Sequence, residues 1–172
     1  HLGIDKKDVV KRINTKPDKV IVFNHRPNTY KNYKGFISVC DVLWKQRQDF
    51  KVWVPLLDGT PNRPYLTNER GDKEFYYEKL KSCCVGFSPK QTYGGWSVAT
   101  TDGMMNGVPY IMFNDTYYEE LYSGADFFTK NDDAVALLNR YLDDTKYRNQ
   151  KARETLSHCK KNLIYSSNIL EL

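Results

Sequence analysis

The sequence predicts an α/β domain built as a doubly wound parallel sheet, Rossmann-like, with helices on both faces. Two observations carry that prediction. Four short apolar runs, KVIVF, FKVWVPLL, CCVGFS and VPYIMF, are unbroken rather than alternating, which marks strands buried on both faces. Stretches of helical period separate them, and strand–helix alternation of this kind winds into a parallel sheet. Right-handed connections then place every strand-to-helix loop on one edge, where ligands of such sheets bind. The loops to inspect are Asn24–Lys34, Asp58–Asp72 and Pro89–Gly95.

The elements follow in order. Lys19–Phe23 is the first strand, and Gly35–Gln46 a helix with Phe36, Ile37, Cys40, Leu43 and Trp44 on one face. Phe50–Leu57 is the second strand. Asp58–Asp72, rich in Gly, Pro, Asn and Asp, is a turn-bearing connection. Lys73–Ser82 reads as a short helix and Cys83–Ser88 as the third strand. Gly94-Gly95 then precedes a helix opened by Trp96-Ser97 and closed by the left-handed cap signal Asn106-Gly107. Val108–Phe113 is the fourth strand, with Pro109 where a missing N–H is tolerated. Tyr117–Tyr122 is one or two helical turns and Ala125–Thr129 a short strand. Asp132–Asp144 is an amphipathic helix, and Thr145–Leu163 a second, basic one.

The 172 residues fit one domain with a full core. The formal charge of +5 favours anionic partners, but the cations are scattered among acids, the pattern of a mixed solvated surface. A compact Lys/Arg stripe, which nucleic-acid binding needs, is not legible. Cys40, Cys83, Cys84 and Cys159 form no CxxC pair, and His1, His25 and His158 show no metal-ligand spacing, so no metal site is predicted. Buried free thiols, no signal peptide and no apolar run of bilayer length predict an intracellular, cytoplasmic chain without a membrane span.

The loop after the first strand, NHRPNTYKNYKG, lacks both the glycine spacing of a dinucleotide fingerprint and the P-loop pattern. A phosphate there would be held by cationic side chains. Arg26 lies just behind the strand end, where a guanidinium can fork onto phosphate oxygens, and Lys34 just before the helix N-terminus. The alternative is a basic surface loop with no ligand. Gly94 and Gly95 let the backbone approach a ligand, and with Trp96 and Ser97 would present N–H groups to a phosphate or sugar oxygen. Asp102 stands among small and apolar residues and needs a partner when buried. A ligand hydroxyl, a backbone N–H and a basic side chain are the candidates. Met104 and Met105 read as core filler.

Gly94–Ile111, G-G-W-S-V-A-T-T-D-G-M-M-N-G-V-P-Y-I, resembles a segment of the group 1 (family 4-like) retaining glycosyltransferases of GT-B type. Their pattern is E-G-F-G-x-x-x-x-E-A-M-x-x-G-x-P-V-I. Trp96, Met104 and Gly107-x-Pro109 agree with it without a gap. Arg26 and Lys34-Gly35 match the family's Arg and Lys-Gly, and Leu57-Asp58-Gly59 its turn after strand two. The opening HLGID resembles its interdomain linker, and the final helices its closing helices. The chain is thus similar to the C-terminal, donor-binding half of a GT-B fold, with residues 1–18 as linker and lead-in helix and 19–172 as the domain.

The resemblance implies roles. Arg26 and Lys34 would bind the donor diphosphate and stabilise the leaving group. Asp102 would hold ribose hydroxyls in place of the family's second glutamate. Gly94, Gly95, Trp96 and Ser97 would face the phosphate or sugar, and the base would lie near Tyr65 and Leu66. No cofactor is implied; a UDP- or GDP-sugar is the substrate, and its hexosyl group passes, with retention, to an acceptor held by a separate N-terminal domain. Gly94 stands where the family has its first, sugar-contacting glutamate, so Gln91 or Tyr93 are candidates for that contact. Two other readings stand beside this one. One is a nucleotide- or phosphate-binding doubly wound module without transferase activity; the other makes DNA the acceptor, as in virus-encoded DNA-base glucosyltransferases of this fold.

Overall fold

The computed structural model describes residues 5–95 and 97–164. Six parallel strands form one sheet: β1 (Val20–Val22), β2 (Lys51–Trp53), β3 (Leu66–Thr67), β4 (Val85–Ser88), β5 (Tyr110–Phe113) and β6 (Asp126–Phe128). Their spatial order is β3-β2-β1-β4-β5-β6, which reverses direction between β1 and β4. That reversal opens a crevice at the carboxyl ends of the two strands. The helices are α1 (Tyr33–Gln46), α2 (Lys73–Ser82), α3 (Val98–Met105), α4 (Thr116–Leu121), α5 (Asn131–Asp143) and α6 (Thr145–His158).

Residues from α1 and α5 pack on one face, where Phe36, Leu43 and Leu138 meet Ile21, Val52 and Phe87. Residues from α2, α3 and α4 cover the other, where Leu80, Met104 and Tyr118 meet Val22, Trp53 and Met112. The all-buried pattern of β4 is the two-sided burial expected of its apolar run.

Three details differ from the sequence expectation. β3 lies inside the turn-rich connection; two residues shortly after Pro61 and Pro64 carry too little signal to announce a strand. α1 opens at Tyr33, two residues early, because Asn32 takes a left-handed conformation (φ 49°) as its N-cap. α6 ends at His158, and Cys159–Leu163 continue as a π-helical turn. Of the expected linker and lead-in helix, residues 1–4 lie outside the described residues. Residues 5–18 hold one 3₁₀ turn, Lys6–Asp8, rather than a helix.

The lead-in segment is bound along the amino edge of the sheet. Val10 N–H donates to Met105 O (2.9 Å) and Asp18 N–H to Ser82 O (2.9 Å). Arg148, fully buried on α6, completes the attachment. Its guanidinium donates to the carbonyls of Asn14 (2.6 Å), Cys83 (3.0 Å) and Cys84 (2.8 Å). Three carbonyl dipoles and the Asn149 side-chain oxygen thus satisfy a cation that has no carboxylate partner. All four cysteines are buried free thiols, and among the described residues no helix is long and apolar enough to cross a membrane.

Arg148→Leu removes the donors and leaves three carbonyls unpaired in a dry site. The expected loss is about 3 kcal/mol of unfolding free energy, a fall in Tm of about 6–12 °C for a domain of this size. A thermal scan checks it, and a shift below about 2 °C shows the carbonyls to be satisfied without the guanidinium.

Candidate functional site

A cleft of about 800 Å³ lies at the carboxyl edge of the sheet, within the size range of small-molecule sites. Three stretches of chain meet there. The end of β1 supplies Asn24, His25 and Arg26; the segment after β3 supplies Glu69–Lys73, Phe75, Tyr76 and Tyr77; the first turn of α3 supplies Ser97, Val98, Ala99 and Asp102. Trp53, Pro55, Leu56 and Lys31 complete the wall.

Behind the cleft, Tyr110 on β5 supports the lining residue Asn24. A Cβ added to Gly86 on β4 or Gly103 on α3 would overlap its ring, so the two glycines leave the slot that the ring fills. The Tyr110 hydroxyl donates to Asn24 Oδ1 (2.9 Å). Asn24, itself buried, donates through Nδ2 to Ala99 O (2.7 Å) and Tyr76 Oη (2.9 Å). Tyr76 in turn donates to Asp102 Oδ2 (3.3 Å). One chain of hydrogen bonds therefore joins β5, β1, α2 and α3 and ends on the cleft carboxylate. Burial pushes Asp102 up to about 6, against the Tyr76 hydrogen bond and the Lys73 charge.

His25 is buried beside this chain. Its Nε2 lies 3.0 Å from Phe87 O, which can only accept, so Nε2 carries the proton. Nδ1 then accepts from Ser97 Oγ–H (3.0 Å), which fixes the serine rotamer at the start of α3. Burial lowers the His25 pKa to about 3, and the Lys31 charge acts in the same direction. The ring is neutral at physiological pH.

Four cations line the cleft: Arg70 is paired with Asp58 and Lys73 acts on Asp102, while Arg26 and Lys31, both from the loop after β1, pair with no carboxylate among the described residues. Lys31 is half-buried, and its pKa is lowered first by burial and then by Arg26. Like charges close enough to perturb one another mark a place that an anion would relieve.

The sequence-predicted residues divide as follows. Arg26, Ser97 and Asp102 line the cleft. Lys34 does not: α1 begins at Tyr33, so Lys34 sits exposed on the helix, and Lys31 is the loop cation that reaches the cleft. Tyr65 and Leu66 are core residues on the α1 face. The Tyr65 ring packs against Trp44 and Phe50 and its hydroxyl donates to Asp41 (2.6 Å). The chain reaches the cleft only after β3, at Glu69–Tyr77. Gly94 and Gly95 are exposed outside the lining, since their loop is tied to α4. Gln91 N–H donates to Tyr117 Oη, and Gln91 Nε2 to both Gly95 O and Tyr118 Oη. Trp96 lies outside the described residues. Asn24 and Tyr76 carry no sequence signal beyond the strand-end position of Asn24, and Lys31 is legible only as one cation of the basic loop.

No protein-family model and no curated protein sequence matches the chain. Solved structures do. The C-terminal domain of a group 1 family glycosyl transferase (LpcC) from Francisella tularensis superposes with TM-score 0.75. It covers 95% of this chain and 100% of that domain at 13% identity. The chain has the fold of a GT-B C-terminal half. S. aureus TarM, as a mutant in complex with fondaparinux, alpha-GlcNAc-glycerol and UDP, superposes at 0.74 with 12% identity over 95% of this chain. The trehalose-6-phosphate synthase OtsA does so at 0.70 with 13% identity over 94%. The chain spans 36% of that TarM chain and 47% of OtsA.

The two buried titrating groups oppose each other in stability. His25 has a folded pKa near 3, below its unfolded 6.5, so its contribution is present above pH 6.5 and is lost as pH falls. Asp102 has a folded pKa near 6, above its unfolded 3.8, so the fold gains as pH falls through 6. Between about pH 6 and pH 5 the two slopes offset. Asp102→Asn should uncover the His25 slope, at most about 1.4 kcal/mol per pH unit, over that window. Urea melts of both proteins read it, and parallel pH profiles would refute the assignment.

Proposed function

We propose that the cleft binds the nucleoside diphosphate of a sugar nucleotide and that the chain is the donor-binding half of a glycosyltransferase. The observation that carries this reading is the convergence of Arg26, Lys31 and Asp102 in one cleft at the strand-order reversal. The UDP in the TarM structure and the GT-B fold support it. Arg26 and Lys31 take the diphosphate and stabilise charge as it develops on the departing phosphate. Ionised Asp102, held by Tyr76, accepts hydrogen bonds from ribose hydroxyls. Leu56, Phe75 and Val98, exposed at 46%, 38% and 56%, give the cleft an apolar side against which a planar base can lie. The family likeness extends the reading to hexosyl transfer, with retention, from a UDP- or GDP-sugar to an acceptor presented by a second domain.

Calorimetric titration with UDP and GDP tests the reading; no heat with either removes it. Arg26→Ala and Lys31→Ala are each expected to weaken diphosphate binding by about 1.5–3 kcal/mol, roughly 10- to 100-fold. Lys34→Ala should leave it unchanged. Equal losses in Lys31→Ala and Lys34→Ala would return the diphosphate to the site read from the sequence.

Asp102 adds a pH signature. Its carboxylate accepts only when ionised, so UDP affinity should decline as pH falls below about 6. Asp102→Asn should bind UDP more weakly at pH 7 and show no such decline, whereas binding of inorganic pyrophosphate should be indifferent to the substitution. Equal weakening of UDP and pyrophosphate would take Asp102 away from the ribose.

A further inference from the structure

A second concave site lies at the opposite, amino edge of the sheet, and it is built from cations. Lys11 and Arg12 on the lead-in segment face Arg153, Lys160 and Lys161 at the end of α6 and its π-helical turn, around a trough of about 530 Å³. Residues 153, 156, 157, 160 and 161 recur at helical spacing, so three of the cations share one face with Leu156 and Ser157. Ile13 and buried Leu156 form the floor. Lys160 Nζ donates to Lys11 O (3.1 Å), which joins the two walls. Among the described residues none of the five cations makes an ion pair, and no acid lines the trough.

We propose that this trough docks the phosphodiester backbone of duplex nucleic acid. The sequence disperses the cations over more than 150 positions; the fold collects five of them, the compact basic patch that such binding requires. Arg153 to Lys161 is eight residues, about 12 Å of helix, the axial run of three to four phosphates on one strand. A concave wall of cations accepts a protruding backbone. A bilayer surface is better met by a flat or convex face with exposed apolar anchors, and among the described residues none of the exposed large apolar side chains, Leu56, Phe75 and Val98 among them, lies here. Among the described residues no aromatic side chain lines the trough, which speaks against base stacking, so the grip is on the backbone and independent of sequence. The proposal does not rest on the sugar-nucleotide reading, because the two sites occupy opposite edges.

Fluorescence anisotropy of the whole chain with a labelled DNA duplex of about 20 base pairs tests it. Binding is expected with Kd on the order of 10⁻⁵ M near 0.1 M salt. The slope of log K against log salt should be about −3 to −4.5, the release expected for up to five phosphate contacts. Arg153→Glu, exposed and expected to keep the melting temperature, and the exposed pair Lys160→Glu with Lys161→Glu, expected to lower it by a few degrees through the helix dipole, should each weaken binding by more than about tenfold and flatten the slope. Unchanged duplex affinity in both variants overturns the proposal. So does tighter binding to phosphatidylserine vesicles than to duplex at equal phosphate concentration, lost in the same variants, which would assign the trough to a membrane.

Discussion

The insertion of the Tyr110 ring between Gly86 and Gly103 is the constraint on which the cleft depends. It sets how closely α3 lies on β4 and β5, and therefore where the first turn of that helix meets the end of β1. It also delivers a hydroxyl to Asn24, whose amide then has every polar group engaged with Tyr110, Tyr76 and Ala99. A buried amide with all its partners in place has one orientation. The position of Asp102 is fixed through that orientation by Tyr76, not by a charge. A helix with two glycines or alanines against the sheet could slide; one with a tyrosine ring seated between two glycines cannot without a clash.

The same frame explains the electrostatics. Everything deep in the site is neutral and hydrogen-bonded: His25 is held uncharged between Phe87 O and Ser97, and Asn24, Tyr76 and Tyr110 form a chain of dipoles. Charge is confined to the rim of that frame, where Arg26 and Lys31 repel one another and Asp102 is partly desolvated. Preorganised dipoles behind a few exposed charges cost no reorganisation when an anion arrives. Had His25 been charged, it would have added a third positive group, buried without a counter-ion.

The sheet was legible because its strands are buried on both faces and so read as unbroken apolar runs. The order and approximate limits of eleven of the twelve strands and α-helices follow from that and from helical period. β3 is not legible, since two residues in a proline- and glycine-rich connection carry no period, and the stretch expected at the cleft consequently falls a few residues too early, at Tyr65 and Leu66. Lys34 rather than Lys31 stands out in the sequence for a similar reason. The sequence puts the helix start at the Lys-Gly pair, whereas Asn32, in a left-handed conformation, starts it two residues sooner and turns Lys34 onto the helix surface. Arg26, Ser97 and Asp102 were legible because strand ends and helix starts are local signals. The network behind them was not, because Asn24, Tyr76 and Tyr110 are far apart in the chain and ordinary in type.

The basic trough raises the question of whether its cations have a sufficient structural cause. In a parallel sheet the covering helices point their C-termini at the amino edge, and cations there gain from the helix dipole. That accounts for Lys160 and Lys161, which lie in the π-helical turn that continues α6, within the last turn over which the effect survives. It does not account for Arg153, nearly two turns earlier, nor for Lys11 and Arg12, which belong to no helix. Those three approach the same groove from two directions and add to a repulsion that the dipole alone would be better served without. The fold brings five like charges to one concavity, while its other edge sets cations beside an acid, so the two edges differ in charge pattern by the polarity of the strands.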